Sequence, residues 1–162
     1  MRKLIIGIDP GMSGGIAVLD GNCCIVSVVK MPQTMMDLYN HLREIIDSVR
    51  GGDPCRVICY MEKVGMGMPG QSSKATATFA RHCGHLEMAL LSLGIPTVEV
   101  TPQRWMKSLG MGSSKNSTKT EWKNKLKGAA QQLFPELGKK ITLNTSDALL
   151  IAVYGKKQET GQ

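Results

Sequence analysis

Three short apolar runs separated by turn residues open the chain, followed by a stretch of helical periodicity and a fourth apolar run. The runs are rich in β-branched residues and bounded by glycine, proline or asparagine, which is typical of strands joined by tight turns. Between the third and fourth runs, Thr34 is a predicted helix N-cap, and apolar residues follow it at a 3.6-residue period as far as Val49. The predicted strands are 3–9, 15–20, 23–30 and 56–62.

The second half of the chain predicts helices with one further strand. Helical periodicity covers 74–93, and Thr118 and Glu121 form a capping box that opens a helix reaching about residue 134. The other predicted elements are a strand at 97–100, a short helix at 102–109 and a last helix from 145 or 146 to about 155. This order predicts an α/β fold, a five-stranded mixed sheet flanked by helices, with residues 1–162 as a single domain.

The charge of the chain is concentrated in one segment. Residues 104–140 hold nine basic and two acidic residues, which accounts for the whole net charge of +7. A clustered basic surface suggests a polyanion such as nucleic acid, and a solvated lysine-rich helix face is the alternative. No apolar run approaches the length of a membrane span, and no secretory signal is recognisable, so we expect no membrane association.

The cysteines favour a reducing compartment. There are five, an odd number, and none forms a C-x-x-C pair. His82, Cys83 and His85 lie close together in sequence, but no second ligand pair has the spacing of a zinc site, so we expect none.

Three acidic residues stand at the ends of predicted elements. Asp9 ends the first strand, Glu62 ends the fourth, and Asp147 lies in the first turn of the last helix. Each alone is explained as a turn or cap residue. Together they would meet beyond the carboxyl ends of two parallel strands, where like charges repel unless a cation lies between them. Oxygen ligands favour Mg²⁺ or Mn²⁺, and carboxylate-bound Mg²⁺ beside a basic surface suggests phosphodiester hydrolysis.

The motifs around these acids resemble those of the RuvC family of Holliday junction resolvases. They are Ile8-Asp9-Pro10-Gly11, Met61-Glu62-Lys63-Val64 and the segment 147–152, and the resemblance runs from Lys3 to about Gly155. It implies a ribonuclease H-like fold and a homodimer that nicks four-way junction DNA with Mg²⁺ or Mn²⁺. From the chemistry of phosphodiester hydrolysis we expect two ions per site. The resemblance also implies that the catalytic acids are Asp9, Glu62 and Asp147, with Lys107 and Lys119 near the scissile phosphate.

One departure from the family concerns the metal ligands. The family usually has a fourth acid three residues before the last one, and this chain has Asn144 there. Asn144 can offer a neutral carbonyl oxygen to a metal, and it is also a good helix N-cap. The alternative function is therefore that of a catalytically impaired relative that binds junctions without cutting them. We hypothesise that Asn144→Asp raises the rate of cleavage.

The DNA contacts are the second departure. The family often places an aromatic residue in the loop after Glu62, where this chain has Met66 and Met68; either could wedge between bases, or the glycine-rich loop could simply order on DNA. The basic residues expected at DNA are Lys74, Arg104, Lys107, Lys115, Lys119 and Lys123. Trp105 and Trp122 are expected in the core or at an interface.

Two other functions fit parts of the sequence. The glycine-rich segment 7–15 also resembles the phosphate motif of sugar kinases, but those enzymes need two such lobes, so no nucleotide cofactor is expected. Activity on RNA or on flaps stays open. The resemblance to resolvases of phages and bacteria implies a cytoplasmic protein of a bacterial or phage-infected cell.

Overall fold

The computed structural model describes residues 2–52, 54–65, 70 and 72–161. Its centre is a five-stranded sheet in the order β3-β2-β1-β4-β5. The first three strands form an antiparallel meander, and β4 and β5 join β1 in parallel. The strands are β1 (Arg2–Asp9), β2 (Gly15–Asp20), β3 (Ile25–Lys30), β4 (Cys55–Glu62) and β5 (Thr97–Val100). The predicted mixed sheet, with a parallel pairing across the helical crossover, is confirmed.

Helices cover both faces of the sheet. The helices α1 (Met35–Asp47) and α2 (Ser73–Ser92) contribute to the hydrophobic cluster on one face. The opposite face is covered by α3 (Pro102–Ser108), α4 (Lys119–Leu133) and α5 (Ser146–Thr160). No helix among the described residues is long and apolar enough to cross a membrane.

The central strand β1 is buried on both sides, which explains its uninterrupted apolar sequence. Leu4, Ile6 and Ile8 pack in the cluster with α1 and α2. Ile5 packs on the opposite face, against α4 and α5. Because side chains alternate along a strand, Gly7 and Asp9 share the face of Ile5. The first strand therefore directs its terminal carboxylate towards α5.

Helix α5 approaches β1 so closely that one strand position admits only glycine. A Cβ atom on Gly7 would lie 2.2 Å from the carbonyl oxygen of Ala148 and 2.4 Å from the amide nitrogen of Ala152. The five residues of α5 from Ala148 to Ala152 are fully buried. This close contact fixes the helix that carries Asp147 over the end of the sheet.

The C-terminal half of α5 is held by a cluster of polar side chains around Glu159. Tyr60 donates a 3.1 Å hydrogen bond to its carboxylate, and Lys3 and Arg56 approach it at 3.6 and 3.5 Å. The Lys3 ammonium also donates to the Glu159 carbonyl. Burial, followed by the Glu159 hydrogen bond and charge, raises the pKa of Tyr60 to about 12. This cluster joins α5 to both parallel central strands.

Several predicted boundaries are confirmed and two are wrong. Thr34 caps α1, and Thr118 and Glu121 form the predicted capping box. Strand β3 begins at Ile25 rather than at residue 23, because the Asp20 carboxylate accepts bonds from the backbone of residues 22 and 24 and extends the turn. Helix α5 continues past Gly155 to Thr160, and a 3-10 segment at Pro135–Lys140 was not predicted.

Candidate active site

The three acids singled out in the sequence meet at one end of the sheet. Asp9 and Glu62 are the last residues of the parallel strands β1 and β4, in which Ile8 pairs with Met61. Alternation places Glu62 on the same face as Tyr60, which is also the face of Asp9. Asp147, in the first turn of α5, lies over the same end. The sheet register and the helix N-terminus together build the cluster.

The carboxylates influence one another electrostatically. The pKa of Asp9 is raised to about 8, first by burial and then by the charges of Asp147 and Glu62. The pKa of Glu62 is also raised, by burial and by Asp147, against the lowering effect of its hydrogen bond from Trp105. Both side chains remain partly accessible. The carboxyls therefore resist ionising together, and a bound cation would stabilise their ionised forms.

Trp105 orients Glu62. Its indole Nε1–H donates a 2.7 Å hydrogen bond to Oε2 of Glu62, and the tryptophan is fully buried in α3. The prediction that Trp105 belongs to the core is confirmed, and so is that for Trp122, which is 8% exposed. The role of Trp105 beside a catalytic candidate was not visible in the sequence, because no spacing rule links residues 43 apart.

Lys123 reaches the cluster from α4. Its ammonium lies 2.5 Å from Oδ2 of Asp147, and the Asp147 side chain is only 5% exposed. Burial lowers the pKa of Lys123, but the charge and hydrogen bond of Asp147 outweigh it and the pKa is raised. The sequence indicated Lys123 only as a DNA contact. Its position three residues before buried Leu126, beside the buried face of α4, was the available signal.

Asn144 holds the N-terminus of α5 against the loop between β1 and β2. Its side-chain amide donates to the carbonyl oxygen of Ser13, and the backbone of Gly15 packs against the Asn144 carbonyl. The interpretation of Asn144 as the helix N-cap is wrong. Thr145 is the N-cap, because a turn between Thr142 and Ser146 precedes the helix. No described residue donates a hydrogen bond to the side-chain oxygen of Asn144.

The other predicted DNA contacts lie outside the carboxylate cluster. Lys107 lines a groove of ≈710 Å³ between α3 and α4, together with Ser113, Ser114 and Trp122. Lys119 begins α4, one helical turn before Lys123. Lys74, Arg104, Lys107, Lys115 and Lys119 are all exposed. Met66 and Met68 lie outside the described residues.

The donor set fits a divalent cation by its chemistry. Asp9 makes no side-chain hydrogen bond or ion pair with any described residue, while it is packed beside two further carboxylates. Hard carboxylate oxygens without cysteine or histidine are the ligands of Mg²⁺ and Mn²⁺. As the side chains stand, no three His, Cys, Asp or Glu residues of the described part already form a metal-binding group. In the same part of the chain, the cation that contacts the cluster is the Lys123 ammonium.

Two solved structures share the fold of this chain. The structure of T. thermophilus RuvC in complex with Holliday junction substrate has a TM-score of 0.57 and 16% identity, covering 98% of this chain and 96% of that one. A second structure of Thermus thermophilus RuvC has a TM-score of 0.55 and 17% identity over the same shares. No protein-family model and no curated sequence matches. The predicted RuvC-like, ribonuclease H-like fold is confirmed.

Proposed function

We propose that this protein is a structure-selective endonuclease that resolves four-way DNA junctions by paired, metal-dependent phosphodiester hydrolysis. The observation that carries the proposal is the meeting of Asp9, Glu62 and Asp147 at one end of the sheet. The fold is shared with a RuvC structure in complex with Holliday junction substrate, and a strongly basic segment adjoins the cluster. Its five free cysteines are consistent with action in the cytoplasm of a bacterial or phage-infected cell.

In the proposed mechanism, Asp9, Glu62 and Asp147 hold Mg²⁺ or Mn²⁺, and the side-chain oxygen of Asn144 is a further neutral ligand. When bound, the metal supplies Lewis-acid activation of water and of the phosphoryl group. Trp105 fixes the orientation of Glu62 through its indole hydrogen bond. Lys123 holds Asp147 and contributes positive charge at the end of the sheet. These two contacts restrain Glu62 and Asp147 before substrate binds, which favours a preorganised site.

The basic residues beside the cluster are proposed to bind the DNA backbone. Lys107 lines the groove between α3 and α4, and Lys119 is exposed at the start of α4. Lys115 is exposed in the loop between these helices. Each phosphate that such a lysine neutralises should add about −0.9 to the slope of log K against log salt. Substituting Lys115 with Met should therefore flatten the salt dependence of junction binding, while it leaves metal binding unchanged.

A homodimer is proposed because a junction offers two equivalent strands to cut, and two-fold symmetry supplies two sites. Helix α2 carries a candidate face. Met88 and Leu91 are 62% and 73% exposed, and they continue a stripe that begins with the small residues Ala77 and Gly84. Analytical ultracentrifugation of wild type and Leu91→Glu tests this: a dimer that becomes a monomer supports the face. A dimer that persists in the variant excludes it.

The proposed function is tested by nicking of a labelled synthetic four-way junction and a linear duplex, with Mg²⁺, Mn²⁺ or EDTA. Wild type should make paired nicks in the junction only when metal is present. Asp9→Asn should bind the junction without nicking it, because it removes an essential ligand. Tight binding by wild type without nicks would favour the second candidate, an impaired junction-binding relative suggested by Asn144. Equal cutting of junction and duplex, or no junction binding, would overturn the proposal.

A further inference from the structure

The carboxylate cluster contains its own cation. Lys123 is only one third exposed at its side chain, and its ammonium lies 2.5 Å from Oδ2 of the almost completely buried Asp147. The contact joins α4 to the first turn of α5, so it depends on two elements of the core rather than on one flexible side chain. An exposed surface lysine would instead be solvated and contribute little.

The hydrogen bonds of the cluster use part of the lone-pair capacity of Glu62 and Asp147. Oδ2 of Asp147 accepts from Lys123, and its Oδ1 accepts from the Ser146 hydroxyl at 3.2 Å. Oε2 of Glu62 accepts from Trp105. Within the described residues, the carboxylate oxygens without a donor are the other oxygen of Glu62 and both oxygens of Asp9. A metal can coordinate these three oxygens without competing with a hydrogen-bond donor, and that number suits one ion completed by water.

The charges of the cluster also favour one metal ion per site. When metal binding ionises Asp9 as well, the three carboxylates and one ammonium carry a net charge of −2, because position 144 is a neutral asparagine that donates to the Ser13 carbonyl. One divalent ion would neutralise that charge. A second would bring an excess of positive charge to a partly buried site and would approach the Lys123 ammonium at Asp147.

We propose that each active site is built for a single divalent ion, and that the Lys123 ammonium occupies the place of a second cation. The inference rests on the proposed function and differs from the two ions per site expected from the sequence. Asn144 and Lys123 then have the same effect on the charge of the site. Asn144 removes one negative ligand from the family pattern, and Lys123 adds one fixed positive charge. In this arrangement Lys123 is a positioning residue, which holds Asp147 and sets the number of metal ions.

The number of ions can be counted on the full-length protein without DNA. Mn²⁺ is titrated by isothermal calorimetry, with the electron paramagnetic resonance signal of free Mn²⁺ as a second readout. Wild type should bind one ion per chain, and Lys123→Met should bind two, because both the competing charge and the hydrogen bond at Asp147 are removed. Lys123→Arg keeps the charge and should bind one. Lys127→Met is the matched control, because Lys127 lies one turn further along α4 and makes no ion pair with a described residue.

Crystals of wild type and Lys123→Met soaked in Mn²⁺ should show one and two anomalous peaks at the cluster, which also reports whether the variant keeps the fold. Two ions in wild type, or an unchanged count in Lys123→Met, would overturn the inference. Junction nicking is measured separately. Two ions with intact nicking would refute the single-ion site and leave the proposed function standing, whereas one ion without nicking would do the reverse. No bound Mn²⁺ in any variant would overturn both.

Discussion

The close approach of α5 to β1 can be tested by adding one methyl group at Gly7. A Cβ atom there would lie 2.2 and 2.4 Å from backbone atoms of Ala148 and Ala152. Neither neighbour can rotate away, because both atoms belong to the backbone of the buried helix. Since real Cβ atoms essentially never approach other atoms within 3.0 Å, Gly7→Ala must separate strand and helix by about 0.8 Å. Overpacking of this kind costs about 3 kcal/mol of unfolding free energy.

That loss is a large part of the total stability of a domain, which is about 5–15 kcal/mol. The displaced helix also carries Asp147, so the nicking rate should fall in the protein that remains folded. Urea denaturation at 25 °C measures the stability, and Gly128→Ala is the control. Gly128 lies inside α4, and apart from the backbone of that helix no atom of the described residues lies within 4 Å of its would-be Cβ. The same substitution should therefore stabilise the protein by about 1 kcal/mol. A Gly7→Ala protein within about 1 kcal/mol of wild type would refute the reasoning, because overpacking normally costs more.

Asp9→Asn should stabilise the metal-free protein by about 1–2 kcal/mol at pH 7, measured by urea denaturation in EDTA, because it removes a carboxyl whose ionisation is opposed first by burial and then by the charges of Asp147 and Glu62. Asn144→Asp should raise the metal-dependent nicking rate by adding a negative ligand, and lower the unfolding free energy by about 1 kcal/mol, because a carboxylate cannot donate to the Ser13 carbonyl. Tyr60 has a pKa near 12 when folded against an ordinary value of 10, so its contribution is complete below pH 10 and is lost as the pH rises to 12. The stability difference between wild type and Tyr60→Phe should therefore shrink over that range.

Each of these experiments has a clear contrary result. An Asp9→Asn protein that is less stable than wild type in EDTA would show that the carboxylate is satisfied without metal. An unchanged or lower nicking rate of Asn144→Asp at saturating Mg²⁺ would refute the ligand argument. A constant difference between wild type and Tyr60→Phe from pH 9 to 12 would show that the phenol titrates normally.

The sequence predicted the order of the elements because periodicity and turn residues are local signals. It also predicted that Asp9 and Glu62 lie close together, because each is the last residue of a strand and the helical crossover makes the two strands parallel. The roles of Trp105 and Lys123 were missed because each depends on how α3 and α4 pack on the sheet. Asn144 shows the same limit: its residue type allowed a cap or a ligand, and only the position of Ser13 identified its hydrogen-bond partner.

The packing of α5 against the central strand β1 also determines when the site can form during synthesis of the chain. Asp9 and Glu62 leave the ribosome first, and 85 positions separate Glu62 from Asp147. At bacterial and eukaryotic translation rates this delay is roughly 4–17 s. Until then Gly7 lacks the helix that packs against it, and Asp147, which is both the third carboxylate and the partner of Lys123, has not been made. Under the proposed function, nuclease activity would therefore arise only in the step that also closes the core.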